Sequence, residues 1–281
     1  MCGRTGSGGV IPEYATADVE ELTAQDPRGP LLAGDLELEG RIMPASNATF
    51  VGRVGGEGGA VVVYKPIQGE RPLWDFPGAV LAHREEAAYL VSQITGWDVV
   101  PPTVVREGPH GPGMVQRWCE PDPAQDAVTL VPEGHEPPGY LHVFDGVDAR
   151  DRPVSLVHED TAALRRMAVF DVVINNADRK GGHVLEMADG HRFGVDHGIG
   201  FHEENKLRTV LWGWAGTELT EEETAVVRAV RESLGGALGE RLTPLLTALE
   251  IDCIARRCDR LLRARRLPEP REWPAIPWPP F

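Results

Sequence analysis

The chain has 281 residues, of which 42% are hydrophobic, and it carries a formal net charge of −15. This composition supports a folded protein with a sizeable core, and the acidic charge argues against nucleic acid and anionic lipid headgroups as partners, since both favour basic patches. No apolar run approaches the roughly 18 to 20 residues of a membrane span, and the N-terminus lacks a charged-then-apolar signal pattern, so we expect a cytoplasmic protein with no membrane partner.

The N-terminal part of the chain predicts an antiparallel sheet. Residues 1–35, rich in glycine and scattered acids, are predicted to form a flexible arm. Strands are predicted at 36–42, 50–54 and 60–66, and the last of these is a β-branched run that carries Lys65. Small polar residues before the second strand predict a turn that could cover phosphate groups, although ordinary hairpin turns have the same composition. These residues are Ser46, Asn47 and Thr49.

A helix and a strand pair are predicted next. Apolar residues at i, i+3, i+4 and i+7 predict a helix over 82–95, which carries Glu85 and Glu86. Strands at 103–106 and 113–118 flank a turn rich in proline and glycine. These elements complete a sheet-rich first part of the chain.

The remainder of the chain is predicted to be mainly helical. Residues 120–138, rich in Pro, Asp and Glu, predict a surface loop, and a short strand is predicted at 140–147. Helices are predicted at 159–173, after a capping box that begins at Thr220, and at 239–266. The prolines that follow exclude a helical C-terminal tail.

The most informative segment follows the helix predicted at 159–173. Asn-Asn-Ala-Asp-Arg-Lys-Gly-Gly-His occupies 175–183, and Val-Asp-His-Gly follows at 195–198. Phosphoryl transfer needs a carboxylate that orients the acceptor hydroxyl, side chains that hold a metal ion, and cations that offset the charge of the transferring group. Either fragment alone is typical of a surface turn, but their order and spacing favour a nucleotide site. The candidates are Asp178, Arg179, Lys180 and Asp196.

The order of these motifs resembles the phosphatidylinositol 3-/4-kinase-related superfamily, in which an Asp-Arg-x-x-x-Asn catalytic loop precedes a metal-binding Asp-x-Gly. Type II phosphatidylinositol 4-kinases and HipA-type kinases share this pattern, and the chain looks closest to an uncharacterised actinobacterial branch. The resemblance covers residues 36–201, with Asp178 at the catalytic position and Asp196 at the metal-binding position. His183 stands where the family has a metal-binding Asn. Because Mg²⁺ prefers oxygen ligands, this departure puts the metal identity or the catalytic competence in doubt.

The resemblance implies an α+β, two-lobed protein-kinase-like fold, with an antiparallel-sheet N-lobe and a mainly helical C-lobe. On this division, the N-lobe comprises residues 36–118 and the C-lobe comprises residues 119–266. The last segment, 267–281, is a tail rich in proline and tryptophan.

The resemblance also implies roles for residues upstream of the catalytic loop. Lys65 would contact the ATP phosphates, and the register of the motif favours Glu85 as its partner. Helical geometry instead places Glu86 nearer the apolar stripe, so both glutamates remain candidates at this point. The segment from Gln116 to Trp118 would form the edge that holds adenine, mainly through main-chain groups.

The function implied is transfer of the ATP γ-phosphoryl group to a hydroxyl of a protein or a soluble small molecule. The cofactors are ATP and Mg²⁺, with Mn²⁺ tolerance as a consequence of His183, and Asp196 would share the metal. Arg179 and Lys180 would stabilise the developing negative charge. Two alternatives remain: a nucleotide-binding pseudokinase with a regulatory or scaffold role, and an AMP-transferring enzyme on the same fold.

Overall fold

The computed structural model describes residues 26–43, 45, 47–76, 78–270 and 274–281. Most of the predicted N-terminal arm therefore lies outside the described residues, and so does Ser46 of the predicted phosphate-covering turn. A four-residue helix, α1 (Gly29–Leu32), precedes the first strand, and its Leu31 side chain is buried.

Five antiparallel strands form the first sheet, in the order β1-β2-β3-β5-β4. Along β3, Val62 and Tyr64 are fully buried in an apolar cluster, while Lys65 alternates to the other face. The turn between β4 and β5 has two residues, 109 and 110, whereas the sequence predicts a longer turn between strands at 103–106 and 113–118. The other strands begin and end within one residue of their predicted limits. The strands are β1 (Leu36–Arg41), β2 (Phe50–Val54), β3 (Ala60–Pro66), β4 (Thr103–Gly108) and β5 (Gly111–Arg117).

The helix predicted after β3 is present as α2 (Leu81–Thr95), and it ends at Gly96, which adopts φ +65°. Burial extends beyond the predicted apolar stripe, because most residues of α2 are buried all round the helix. It packs against β4 and β5 on one side and against three helices of the second part on the other. This central position brings charged residues of α2 into the interior.

A second, three-stranded antiparallel sheet was not predicted as a sheet. Its strands are β6 (Val128–Pro132), β7 (Tyr140–Val147) and β8 (Pro153–Glu159), in the order β6-β8-β7. The strand β7 agrees with the prediction, but β6 lies within the predicted surface loop at 120–138, and β8 includes the first residue of the helix predicted at 159–173. Strand β6 is a short apolar run whose Pro-rich and acidic flanks are typical of a loop. It forms a strand because it pairs with β8, which lies more than twenty residues further along the chain.

Four helices complete the fold: α3 (Ala162–Ile174), α4 (Glu221–Ser233), α5 (Ala237–Leu242) and α6 (Ala248–Ala264). The capping box at Thr220 and Glu223 is confirmed. The single helix predicted at 239–266 is wrong, because it is divided into α5 and α6. Pro244 follows the end of α5, and a second capping box, formed by Thr247 and Glu250, starts α6.

Two hydrophobic clusters organise the molecule. The smaller one belongs to the first sheet and α1, and the larger one joins α2 to the second sheet and the helices. The protein therefore has the predicted α+β, two-lobed architecture, with an antiparallel-sheet N-lobe and a mainly helical C-lobe. Among the described residues, no helix is both long enough and apolar enough to cross a bilayer.

The tail runs back over the C-lobe without forming a helix in its described part. The Thr209 amide donates to the Ala275 carbonyl at 3.1 Å, and the Gly181 amide donates to the Pro280 carbonyl at 2.8 Å. The end of the tail therefore lies directly on the loop that carries Asp178.

Candidate active site

Strand β3 places Lys65 at the centre of a charged cluster. Its ammonium donates to the Asp196 carboxylate and lies 3.5 Å from Glu85 Oε1. Burial acts to lower the pKa of Lys65, but the carboxylates of Asp196 and Glu85 outweigh it and raise this pKa above its ordinary value. Lys65 is therefore a permanent cation held between the two lobes.

Of the two glutamates on α2, the structure places Glu85 beside Lys65. The second carboxylate oxygen of Glu85 accepts from the His197 amide at 2.9 Å. Glu86 turns away, because its oxygens accept from the Val105 amide at 2.9 Å and from Arg28 at 3.2 Å. Both glutamates are buried, at 3% and 6% exposure, so neither belongs to a solvated acidic face.

The loop after α3 holds Asp178 in a fixed position. Asn175 ends the helix in a left-handed conformation, with φ +56°, and Asn176 Oδ1 accepts from the Asp178 amide at 3.0 Å. The Asp178 carboxylate lies 3.6 Å from Lys180 Nζ. Burial raises the pKa of Asp178, although His183 and Lys180 act to lower it. This carboxylate is partly exposed, as an acceptor-orienting group must be.

Arg179 does not reach the cleft, which corrects the expectation that it offsets phosphoryl charge directly. It is fully buried and forms a paired contact with Asp171, through Nε to Oδ2 at 2.9 Å and Nη2 to Oδ1 at 3.0 Å. Its Nη1 donates to the carbonyl of His183, and its Nη2 donates to His197 Nε2 at 2.7 Å. Every nitrogen of this guanidinium has an acceptor, so Arg179 positions the loop and leaves Lys180 as the accessible cation.

A short hairpin brings Asp196 to the same place. Its strands are β9 (Val184–Glu186) and β10 (Arg192–Gly194), and Asp196 follows with φ +58°. Burial acts to raise the pKa of Asp196, but Lys65 and His183 hold it well below its usual range. Asp196 is therefore ionised.

The histidine at the expected metal position faces Asp196. His183 Nδ1 lies 2.8 Å from the Asp178 carbonyl, which can only accept, so the proton of the neutral ring lies on Nδ1. Burial lowers the pKa of His183, which favours this neutral form. Its unprotonated Nε2 then points towards Asp196 Oδ2 at 3.3 Å. Two electron-pair donors facing each other at this distance are suited to share a cation.

This pair fits a metal that completes its coordination with substrate oxygens. Two neighbouring ligands at about 2.1 Å from one octahedral ion lie about 3 Å apart, close to the separation seen between His183 and Asp196. Across the described residues, no group of three or more His, Cys, Asp or Glu side chains forms a complete metal site. A two-ligand site matches an ion that is held together with nucleotide phosphates.

The described contacts of Asn47 and Thr49, in the predicted phosphate-covering turn, do not reach the charged cluster around Lys65. Thr49 is buried, and its hydroxyl donates to the Asn47 carbonyl at 3.2 Å. Asn47 Oδ1 accepts from the Arg71 amide at 3.0 Å. These polar groups therefore stabilise their own turn.

Part of the expected adenine edge is already used by the sheet, which corrects the prediction for Gln116. Gln116 lies on a central strand, and its side chain is buried and donates to Thr103 Oγ1 at 2.9 Å. The Trp118 amide donates to the Val61 carbonyl at 2.9 Å, and its indole donates to Glu120. Among the described main-chain hydrogen bonds, the pairing of this edge ends with the Trp118 amide, so the Trp118 carbonyl remains a candidate for the adenine edge.

Sequence reasoning missed Asp171 and His197. The signal for Asp171 was a single carboxylate in the apolar run Val-Phe-Asp-Val-Val, since a charge on a buried helix face needs a buried partner. His197 accepts from Arg179, so its proton lies on Nδ1, 3.8 Å from Glu85 Oε2. Burial and the neighbouring Arg179 lower the pKa of His197 well below its usual value, so it is neutral and links the two halves of the site.

Comparisons with known proteins find one relative at high identity. The chain is 48% identical over 271 residues to Protein Rv2133c of Mycobacterium tuberculosis (strain ATCC 25618 / H37Rv), covering 92% of this chain and 98% of that protein. No protein-family model matches the chain. Among solved structures, it is similar to the Helicobacter pylori proinflammatory kinase CtkA, with a TM-score of 0.44, 9% sequence identity, and coverage of 83% of this chain and 93% of that chain.

Proposed function

We propose that this chain, which belongs to the family of the Mycobacterium tuberculosis protein Rv2133c, is an ATP-dependent phosphotransferase. It moves the γ-phosphoryl group of ATP to a hydroxyl of a protein or a soluble small molecule. The observation that carries this proposal is the convergence of Lys65 and Glu85 from the N-lobe with Asp178, His183 and Asp196 from the C-lobe.

Each of these residues has a role that follows from its contacts. Lys65 binds ATP phosphate, and Glu85 orients Lys65 while its other oxygen is anchored by the His197 amide. Asp178 orients the acceptor hydroxyl and accepts its proton, and Lys180, 3.6 Å away, offsets negative charge on the transferring group.

His183 and Asp196 would hold Mg²⁺ or Mn²⁺, and the bound ion would supply charge neutralisation at the ATP phosphates. The imidazole ligand favours Mn²⁺ more than an amide oxygen would, because nitrogen donors suit softer ions than Mg²⁺. Asp196 is ionised by its neighbours before any metal binds, so it needs no proton release to act as a ligand.

The charge of the chain supports a protein or a soluble small molecule as the acceptor. A net charge of −15 opposes adhesion to an anionic membrane surface and opposes binding to nucleic acid. A cytoplasmic location with access to ATP agrees with this proposal.

The test follows the products of labelled ATP in the presence of Mg²⁺ or Mn²⁺, using wild type and Asp178→Asn. The matched control is Asp189→Asn, an exposed aspartate on the turn of the β9–β10 hairpin. We expect wild type and the control to form ADP at similar rates, and Asp178→Asn to lose at least about a hundredfold in rate while still binding ATP. Equal rates for all three proteins would remove Asp178 from the mechanism, and pyrophosphate in place of ADP would assign AMP transfer.

A nucleotide-binding pseudokinase is the second candidate, and His183 is the observation that favours it. Replacement of an oxygen ligand by a nitrogen ligand weakens a Mg²⁺ site, and a regulatory protein needs nucleotide binding without turnover. Thermal stabilisation by ATP and metal, with neither ADP nor pyrophosphate formed across a panel of acceptors, would favour this candidate.

A further inference from the structure

A cavity lies in the C-lobe, between the tail, α6 and the segment 204–208. Its volume is about 570 Å³, and none of the charged-cluster residues Lys65, Glu85, Asp178, His183 and Asp196 lines it. Five cationic side chains and two carboxylates line this cavity, in a protein whose net charge is −15. The cations are Lys206, Arg208, Arg257, Arg260 and Arg266.

Three of these cations have no carboxylate partner within 4.0 Å among the described residues, namely Arg208, Arg257 and Arg260. The two lining carboxylates, Glu204 and Glu269, do not balance them. Glu204 is paired with Lys206 at 3.6 Å, and Glu269 is not within 4.0 Å of any of the three guanidinium groups. Arg266 is paired with Glu218 at 3.7 Å. The unbalanced positive charge is therefore concentrated on three guanidinium groups around one cavity.

Arg257 is the most informative member, because it is 91% buried and its charge is unpaired. Its Nε donates to the Val173 carbonyl at 2.8 Å, and its Nη1 donates to the His202 carbonyl at 3.3 Å. No described residue accepts from its buried Nη2. Burial, with Arg260 nearby, lowers the pKa of Arg257 to about 10. A buried cation of this kind is costly unless an anion completes its contacts.

The cavity also has an apolar part and a connection to the catalytic loop. Trp212, Leu261 and the tail prolines line it alongside the cations. The Arg208 amide donates to the Asn176 carbonyl at 3.0 Å, and the Arg208 carbonyl accepts from the Arg179 amide at 3.1 Å. A ligand bound by the Arg208 side chain would therefore hold the segment 204–208, whose Arg208 main chain bonds to the catalytic loop.

We propose that this cavity binds a small organic phosphomonoester, with its phosphate held by Arg208, Arg257 and Arg260 and its organic part against Trp212 and the tail. Guanidinium groups bind phosphate through paired hydrogen bonds, and several are needed to balance a dianion. The volume of the cavity exceeds what a phosphate ion alone would fill, and the apolar lining suits a carbon skeleton. The site is separate from the proposed ATP site and does not depend on that function.

The test measures binding of glucose 6-phosphate, glycerol 3-phosphate and inorganic phosphate to the full chain by calorimetry. The variants are Arg208→Ala and Arg260→Ala, and the matched control is Arg256→Ala, an exposed residue on the same helix as Arg260 that pairs with Asp252. Lys65→Ala controls for phosphate bound at the ATP site.

We expect at least one ester to bind more tightly than inorganic phosphate, and each cavity variant to weaken that binding by about tenfold. Arg256→Ala and Lys65→Ala should leave it unchanged, with the melting temperature confirming that every variant is folded. Absence of saturable binding, equal affinities for ester and inorganic phosphate, or a loss shared by Arg256→Ala or produced by Lys65→Ala would each overturn the proposal.

Discussion

The Lys65 ammonium and the Asp196 carboxylate, 131 residues apart in the chain, form a direct ion pair that joins the two lobes. Each partner shifts the pKa of the other in the direction that keeps both charged. In the proposed function, ATP phosphate would bind to Lys65 and the metal ion would bind to Asp196. The ion pair between Lys65 and Asp196 therefore keeps both groups in place until the nucleotide and its metal bind between them.

The first prediction concerns the energy of this pair. In a double-mutant cycle of Lys65→Met and Asp196→Asn, we expect a coupling of about 1 kcal/mol in the free energy of unfolding. The coupling is this small because solvent screens the pair, since the Asp196 side chain is 43% exposed. Urea unfolding of the four proteins measures this coupling. Strictly additive effects would show that the contact contributes nothing to the stability of the free protein.

The two neighbouring glutamates of α2 give a matched test of the Lys65 contact. Glu85→Gln removes the charge beside Lys65, so we expect ATP affinity to fall about tenfold. Glu86→Gln should leave ATP affinity unchanged and lower stability, because Glu86 is buried against Arg28 and the Val105 amide. Titration with ATP and urea unfolding separate the two effects, and equal losses of affinity would contradict the assignment.

His183 decides the metal preference in the third prediction. His183→Asn replaces the nitrogen ligand beside Asp196 by an amide oxygen, so the ratio of turnover with Mg²⁺ to turnover with Mn²⁺ should rise. Steady-state rates at saturating concentrations of each metal give this ratio. An unchanged ratio would mean that the His183 side chain does not bind the metal.

Local signals predicted the parts of the site that depend on short stretches of sequence. The β-branched run before Lys65 and the glycine after α2 each specify an element through nearby residues alone. The spacing of Asp178 and Asp196 was also informative, because one short hairpin is enough to return the chain to the loop.

The features that were missed depend on distant partners. Asp171 lies only eight residues before Arg179, but the Asp-Arg-Lys run is also typical of an exposed loop, so the run itself does not indicate that a buried carboxylate neutralises Arg179. The family resemblance predicts Gln116 at the cleft, whereas strand pairing on both sides of Gln116, which the local sequence does not reveal, holds it within the sheet. The β6–β8 pairing was missed for the same reason.

His158 provides a prediction for stability as a function of pH. Its Nε2 accepts from the Gly213 amide at 3.0 Å and its ring packs on Trp214, so it is buried in the neutral form. Burial lowers the pKa of His158 below 6.5, and the unfolded chain therefore binds a proton first as the pH falls. Its contribution to stability is complete above about pH 6.5 and declines below it, by at most about 1.4 kcal/mol per pH unit.

The variant His158→Gln keeps an acceptor for the Gly213 amide but does not titrate in this range. We expect its stability deficit relative to wild type to shrink between about pH 7 and about pH 5.5, as measured by urea unfolding. His135→Gln, at an exposed histidine, is the control. A deficit that stays constant over this range would show that His158 binds its proton as readily in the folded protein as in the unfolded chain.

The last prediction concerns the contact between the tail and the catalytic loop. A Cβ added at Gly181 would lie 2.3 Å and 2.6 Å from carbons of the Phe281 ring, whereas a Cβ at Gly182 would meet nothing within 4 Å. Gly181→Ala should therefore displace the end of the tail and break the hydrogen bond from the Gly181 amide to Pro280. Because Phe281 is partly exposed and can move, the cost in stability should be about 1 kcal/mol or less.

Hydrogen exchange followed by mass spectrometry tests this displacement. Peptides that contain Gly181 and the tail should exchange faster in Gly181→Ala than in wild type, and Gly182→Ala should match wild type. In Gly181→Ala/Phe281→Ala the clash is removed, so the Gly181 amide should regain protection if the Pro280 carbonyl returns to it. Equal exchange in Gly181→Ala and Gly182→Ala would contradict the contact. Lys180 directly precedes Gly181, and Asp178 lies two residues before Lys180. If turnover changes together with the exchange rate of the Gly181 amide, the tail is linked to the catalytic loop.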